Sequence, residues 1–203
     1  DSLLGGSHHD SLVGSAGADT LDGGSGADTM SGGEDADLYR VDDVNDVVID
    51  DGTSLGDHID SSVSFTAPTG IESMTLVGHD SIDGTGNSSP NEIIGNDQDN
   101  ILSGLKGSDT IKGDGGDDSL VGGNKRDYLY GEGDNDTLSG GNDNDELRGG
   151  DGHDSLSGDH GDDKLWGDDG NDTLSGGAGN DTLTPGAGTD TVTGGAGNDT
   201  IVL

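Results

Sequence analysis

The chain has 203 residues, 42 of them glycine and none cysteine, and 43 acidic residues against 7 basic ones give a formal charge of −36. Leu, Ile, Val and Phe together make up just under a fifth of it, too little for a conventional globular core and near the composition of disordered chains. The charge speaks against nucleic acid or an anionic membrane surface as partner, the lack of cysteine removes disulfides and thiolate metal sites, and no apolar run approaches a membrane span.

A nine-residue period runs through most of the sequence. Asp1-Ser2-Leu3-Leu4 fits the tail of one unit, so the chain is expected to be a fragment, and no secretory signal peptide is visible at its start. Units then open at Gly5, Gly14, Gly23 and Gly32, and thirteen more run without a break from Gly86 to Val202. Of these seventeen units, sixteen open with glycine (Pro185 is the exception) and ten have glycine at position four. Position eight is apolar or aromatic in all of them, from Leu12 to Ile201. Position six is Asp10, Asp19, Asp28 and Asp37 in the first block. In the second it is Asp109, Asp118, Asp127, Asp136, Asp145, Asp154, Asp163, Asp172, Asp181, Asp190 and Asp199, preceded by Asn91 and Asn100.

Each position has a physical reading. Glycines at positions one, two and four allow a tight loop. Positions seven to nine, as in Thr173-Leu174-Ser175, alternate polar, apolar, polar and predict a short strand with one inward side chain. Two loops and two strands close a flat coil of eighteen residues, and no segment has helical periodicity. The expected fold is therefore all-β: a parallel β-roll, or β-solenoid, with two short-stranded parallel sheets across a thin aliphatic core. Three regions are expected: a first block over 1–40, a degenerate insert or cap over 41–85, and a second block over 86–203. Within 41–85, Val47-Val48-Ile49, Ile59 to Phe65, and Met74 to Leu76 read as longer strands. The segment's length of five units favours continuation of the solenoid.

Stacking brings position-six carboxylates two units apart onto one edge, about 4.8 Å from each other. A ladder of like charges spaced that closely needs a cation. Oxygen ligands at that width suit Ca2+, while Mg2+ is too small and transition metals favour imidazole or thiolate. Eleven same-edge Asp–Asp pairs result, and the pairs that begin at Asn91 and Asn100 are poor sites. The expected load is about 8–13 Ca2+ ions.

The unit Gly194-Gly195-Ala196-Gly197-Asn198-Asp199-Thr200-Ile201-Val202 resembles the repeat-in-toxin (RTX, haemolysin-type) nonapeptide. The resemblance implies a parallel β-roll with Ca2+ between stacked loops, the position-six Asp supplying side-chain oxygen and loop carbonyls the rest. It also implies a bacterial protein exported by a type I system and folding outside the cell, secreted or on the cell surface.

Catalysis is not expected of this chain. Gly52-Thr53-Ser54-Leu55-Gly56 matches the Gly-x-Ser-x-Gly pattern but lacks the helix that motif needs. No His-Glu-x-x-His occurs, and His8, His9, His153 and His160 fall in loops. Unit parity places Ser and Thr pairs on the outside of one sheet. It places Lys112, Tyr130, Arg148 and Trp166 in a column on the other, with Lys106, Lys125, Arg126 and Lys164 nearby, and Tyr39 and Arg40 joining them if the insert counts as five half-turns. Tyr130, Arg148 and Trp166 are the candidate contact for a polysaccharide or cell-surface partner. The leading reading is a calcium-binding β-roll module. The alternatives are an adhesin, matrix or carbohydrate-targeting module, or an accessory domain of a secreted hydrolase or polysaccharide-modifying enzyme.

Overall fold

The structure is a computed structural model, and it describes residues 1–50 and 54–203. Every element among them is a strand, twenty-three in all. Having no helix, the described chain has none long and apolar enough to cross a membrane. Alternate strands form a twelve-stranded sheet, from Ser2–Ser7 to Thr200–Ile201. The other strands make the opposite face, as a three-stranded sheet that ends at Val47–Ile49 and an eight-stranded one that begins at Phe65–Thr66.

All strand pairing is parallel, and in the regular repeats the register is eighteen residues: Leu129 lies beside Leu147, and Leu147 beside Leu165. One coil is thus two units, and identical positions stack. The strands are longer than the three residues expected from the pattern. Thr173–Ala178 carries positions seven to nine and the first three of the next unit. Two of its residues are buried, Leu174 at position eight and Gly176 at position one. Position one therefore faces inward as well, beside the loop's own aspartate.

In the regular coils the core is a file of position-eight side chains. Leu21, Leu102, Ile111, Leu120, Leu129 and Leu147 are fully buried. Fully burying one such side chain is worth about 1.5–3 kcal/mol, so each coil has little apolar surface to stabilise it. Tyr39 also belongs to this file and is fully buried. It does not join the outward column expected for it, because position eight always points inward.

The twelve-stranded sheet runs through residues 41–85. Leu38 pairs with His58, His58 with Ser73, and Ser73 with Glu92. These three coils are 20, 15 and 19 residues long. Together they span three regular coils, so the second block resumes in phase with the first. The strands here are short, not the longer ones the sequence suggested: His58–Ser61 and Ser73–Leu76 have four residues, Phe65–Thr66 only two. On the opposite face the two sheets do not join. A cleft of about 460 Å3 separates them, lined by Val44, Val47, Val48, Phe65 and Pro68 among others.

Two ladders of side-chain hydrogen bonds run along the loop edges in opposite directions. At position six, each backbone N–H donates to the carboxylate one coil ahead, as Asp109 does to Asp127 at 2.8 Å. At position five it donates one coil back: Asn135 to Asp117 at 2.9 Å, His153 to Asn135 at 3.0 Å, and Asn171 to Nδ1 of His153 at 2.9 Å.

Candidate metal centre

Consider Asp136, in the middle of the second block. Its N–H donates to Oδ1 of Asp154 at 2.8 Å, and its own Oδ1 accepts from the N–H of Asp118 at 2.8 Å. Oδ2 is buried and has no hydrogen-bond partner. The same holds for Oδ2 of Asp10, Asp19, Asp28, Asp37, Asp109, Asp118, Asp127, Asp145, Asp154, Asp163, Asp172 and Asp181. Asp190 and Asp199 complete the two columns, accepting from Asp172 at 2.9 Å and Asp181 at 3.1 Å. Leaving a buried acceptor unsatisfied costs about 1–3 kcal/mol, and more when it is charged. Thirteen such atoms in one repeated position call for a common partner.

The position-one glycines show where that partner fits. A Cβ on Gly131 would come within 2.2 Å of Oδ2 of Asp136 and 2.6 Å of the carbonyl oxygen of Gly149, one coil on. On Gly113 the corresponding distances are 2.2 Å to Asp118 and 2.7 Å to Gly131. Glycine at this position keeps a pocket open between a carboxylate and a backbone carbonyl. Hard oxygen donors of this kind suit Ca2+. The residues that would hold it are the position-six aspartates, with position-one carbonyls beside them.

Without a cation the carboxylates are held away from their charged form. Burial, the largest cause, pushes Asp109, Asp118, Asp136 and Asp163 up to about 7 and Asp145 to about 8. It takes Asp127 and Asp154 to about 6. The backbone N–H on each Oδ1 works against the shift but does not cancel it.

Two aspartates outside the seventeen units also stand in the ladder. Asp28 donates from its N–H to Asp46 at 2.8 Å, and Asp37 to Asp57 at 2.8 Å. Both acceptors are buried. Asp46 stands nine residues after Asp37 and was visible in the period; Val41 in place of the opening glycine hid it. Asp57 is two residues out of phase and carried no such signal. Beyond it, Oε2 of Glu72 accepts from the N–H of Gly56 at 2.9 Å and of Asp57 at 3.1 Å.

Asn91 and Asn100 close their loops differently. Oδ1 of Asn91 accepts from Asn87 N–H at 2.7 Å in its own loop, and its amide nitrogen donates to the Ile71 carbonyl at 2.8 Å. Asn100 repeats this with Asn96 at 2.8 Å and the Ile82 carbonyl at 2.7 Å. An amide brings its own donor where the aspartates leave a bare oxygen.

Among the described residues the other candidate groups do not assemble a catalytic site. Gly52 and Thr53 of the Gly-x-Ser-x-Gly segment lie outside the described residues. The Ser54 hydroxyl donates to the Asp35 carbonyl at 2.9 Å and to Oδ2 of Asp57 at 3.3 Å. His58 faces elsewhere, toward Ser73 at 2.7 Å and Asp60 at 3.0 Å. His8, His9 and His153 are exposed on loops, whereas His160, expected in a loop, ends the strand Ser155–His160 and is exposed there.

Lys112, Tyr130, Arg148 and Trp166 occupy successive strands of the twelve-stranded sheet. Arg148 pairs with Asp168, and Glu146 with Lys164 at 3.1 Å and with Arg126, whose guanidinium lies 5.2 Å from the Tyr128 ring centre. Arg40 lies on the same sheet and pairs with Asp22 at 3.3 Å. Lys106 does not share this side: it ends a strand of the eight-stranded sheet, next to Thr66, Pro68 and Asn124.

Flat coils of two nonapeptides, a core one side chain deep and an edge of bare carboxylate oxygens define a calcium-binding parallel β-roll. The family model of the RTX calcium-binding nonapeptide repeat matches residues 4–39, 85–120, 94–129, 112–147, 139–174, 148–183 and 166–201, and the chain belongs to that family. The matches leave out residues 40–84, where the coils are irregular. No curated protein sequence matches the chain.

Proposed function

We propose that this roll is the calcium-triggered module of a type I secreted bacterial protein, unfolded in low-calcium cytosol and folding once outside, in solution or on the cell surface. The observation that carries the reading is the row of thirteen buried, unpartnered Oδ2 atoms. A chain with so thin a core and a charge of −36 has little reason to fold while they stay bare. When only the native state binds the ion, binding free energy becomes folding free energy. The three-part division follows: ion-laden blocks over 1–40 and 86–203, and a segment over 41–85 that keeps them in phase. The test is a calcium titration followed by circular dichroism. The expected result is two repeat blocks that are disordered in chelator, a cooperative rise of strand signal with Ca2+, and no rise with millimolar Mg2+. A strand-rich spectrum persisting in excess chelator overturns it.

A second reading concerns the twelve-stranded face. Tyr130, Glu146, Leu147, Arg148 and Trp166 line a recess of about 240 Å3. Two rings flanking a guanidinium and a carboxylate suit a sugar unit of a polysaccharide or cell-surface glycan, as an adhesin or carbohydrate-targeting module would use. A glycan-binding screen of the calcium-loaded chain, with Trp166→Ala and Arg148→Ala beside it, tests this. Binding that the double variant keeps removes the face from that role.

A further inference from the structure

The aspartate ladder has one irregular coil, and a third carboxylate enters it there. Asp37 and Asp57 are consecutive ladder members but lie twenty residues apart instead of eighteen. Asp50 stands nine residues after Val41, at position one of its unit, where sixteen of the seventeen regular units have glycine. In fourteen of those units a Cβ at position one would crowd Oδ2 of the loop's own aspartate, and in the other two the oxygen of Asn91 or Asn100. Here the longer coil makes room, and the side chain at that place is itself an acid. Asp37, Asp50 and Asp57 each bring a carboxylate oxygen within 4.8 Å of the other two.

Two further observations point to a ligand. Asp37 is 2% exposed, and its Oδ2 is without a partner. That atom and the Tyr39 hydroxyl both lie within 2.3 Å of the point where a Cβ on Gly32 would stand, so it is aimed into the cluster. Tyr39 bonds into it as well. Its hydroxyl accepts from the N–H of Gly32 at 3.0 Å and donates to Oδ2 of Asp50 at 3.1 Å. Gly70, with φ +102°, closes over Asp50: a Cβ there would come within 2.6 Å of Oδ1.

We propose that Asp37, Asp50 and Asp57 form a distinct cation site, with one carboxylate more than the repeat pairs, that takes the first Ca2+ and prefers a trivalent lanthanide to it. The inference rests on the calcium reading above. Affinity of oxygen sites for hard cations rises with the number of charged ligands. Filling this site also fixes the Tyr39 hydroxyl, which ties the edge to the core.

The experiment is calorimetric titration of the full chain with CaCl2 and, separately, TbCl3, while the near-ultraviolet dichroism of tyrosine is followed. The variants are Asp50→Asn, Asp50→Gly, which restores the common residue, and Asp154→Asn as a control in the regular ladder. The expected wild-type curve has one early step, roughly ten-fold or more tighter than the rest and tighter still for Tb3+, accompanied by the tyrosine signal. Both Asp50 variants lose that step and keep the later midpoint; Asp154→Asn keeps the step and moves the midpoint. Asp50 variants that titrate like wild type, or that shift all steps together, overturn the proposal and leave the ladder standing. A single bound ion that is lost in the Asp50 variants keeps this site and removes the ladder. A chain that binds neither ion removes both.

Discussion

The backbone N–H of Asp136 donates to Oδ1 of Asp154, one coil further on, at 2.8 Å, and Oδ2 of Asp154 is left buried without a partner. One oxygen of each ladder carboxylate thus holds the coils together, while the other is the one a cation would take. Removing the side chain takes away both contributions. Asp154 has same-edge neighbours on both sides, Asp136 and Asp172, so it is expected to serve two ions. Asp154→Ala should raise the calcium midpoint of folding several-fold. Asn91→Ala should leave that midpoint nearly unchanged and cost about 1–3 kcal/mol at any calcium level, through its lost amide bonds. Paired calcium and urea titrations separate the two effects, and equal calcium midpoints in the two variants would show that the ladder does not carry the metal.

Two glycine substitutions test the pocket directly. Gly131→Ala places a methyl group 2.2 Å from Oδ2 of Asp136 and 2.6 Å from the Gly149 carbonyl, while a Cβ on Gly115 meets nothing within 4 Å. Gly131→Ala should lower the number of ions bound and raise the calcium midpoint; Gly115→Ala should do neither. The readout is ion stoichiometry by calorimetry. Identical stoichiometry in both variants places the metal elsewhere.

The raised carboxyl groups predict opposite pH responses with and without metal. An unfolded Asp titrates near 3.9, and in the metal-free roll burial lifts Asp109, Asp136 and Asp145 to about 7, 7 and 8. A pKa raised on folding stabilises the fold fully below the unfolded value, and that stability is lost as pH rises through the folded one. In chelator, strand content should therefore increase on acidification from pH 8 toward pH 4. In calcium the trend reverses, because the ion binds the ionised form and protons displace it. Dichroism against pH in the two buffers should give curves of opposite slope. Parallel curves rule out coupled carboxylates.

The regular coils were legible in the sequence because each position has one job. An inward Leu, a glycine that cannot carry a Cβ and an acid at the loop end recur with no exception large enough to hide the period. The coil of eighteen, the parallel sheets and the two columns of aspartates follow from that alone. Residues 41–85 were harder for a physical reason. Their register comes from compensating lengths of 20, 15 and 19 residues, and compensation leaves no local mark. Asp57 was lost for that reason, and Asp50 because an acid at position one reads as a broken repeat. Asn91 and Asn100 looked like failed ligands. Their role is visible only when the amide is seen reaching the carbonyl of the previous coil.

That amide closure predicts which part of the roll survives loss of metal. At Asn91 and Asn100 the position-six side chains are neutral and their amides are satisfied, and neighbouring amides add to this: Asn87 donates to the Pro68 and Ile71 carbonyls at 2.9 and 2.8 Å, and Asn96 to that of Asp80 at 3.0 Å. The core beneath is also broader, with Ile71, Met74, Leu76, Ile82 and Ile93 all buried. Farther along, each coil rests on one Leu per strand and two bare carboxylate oxygens, as at Leu147 and Leu165. Local stability follows buried apolar contact and satisfied hydrogen bonds. As chelator is raised, amide exchange should accelerate first across residues 128–201 and last across 71–102. The middle coils then act as the template onto which the second block folds when calcium returns. Hydrogen-exchange mass spectrometry over a chelator series measures this by segment. Protection lost uniformly along the chain, or lost first at 71–102, contradicts a metal-independent centre. The variant Asn100→Asp sharpens the test: it replaces the closing amide with a ladder carboxylate, so protection at Leu102 should become calcium-dependent where it was not before.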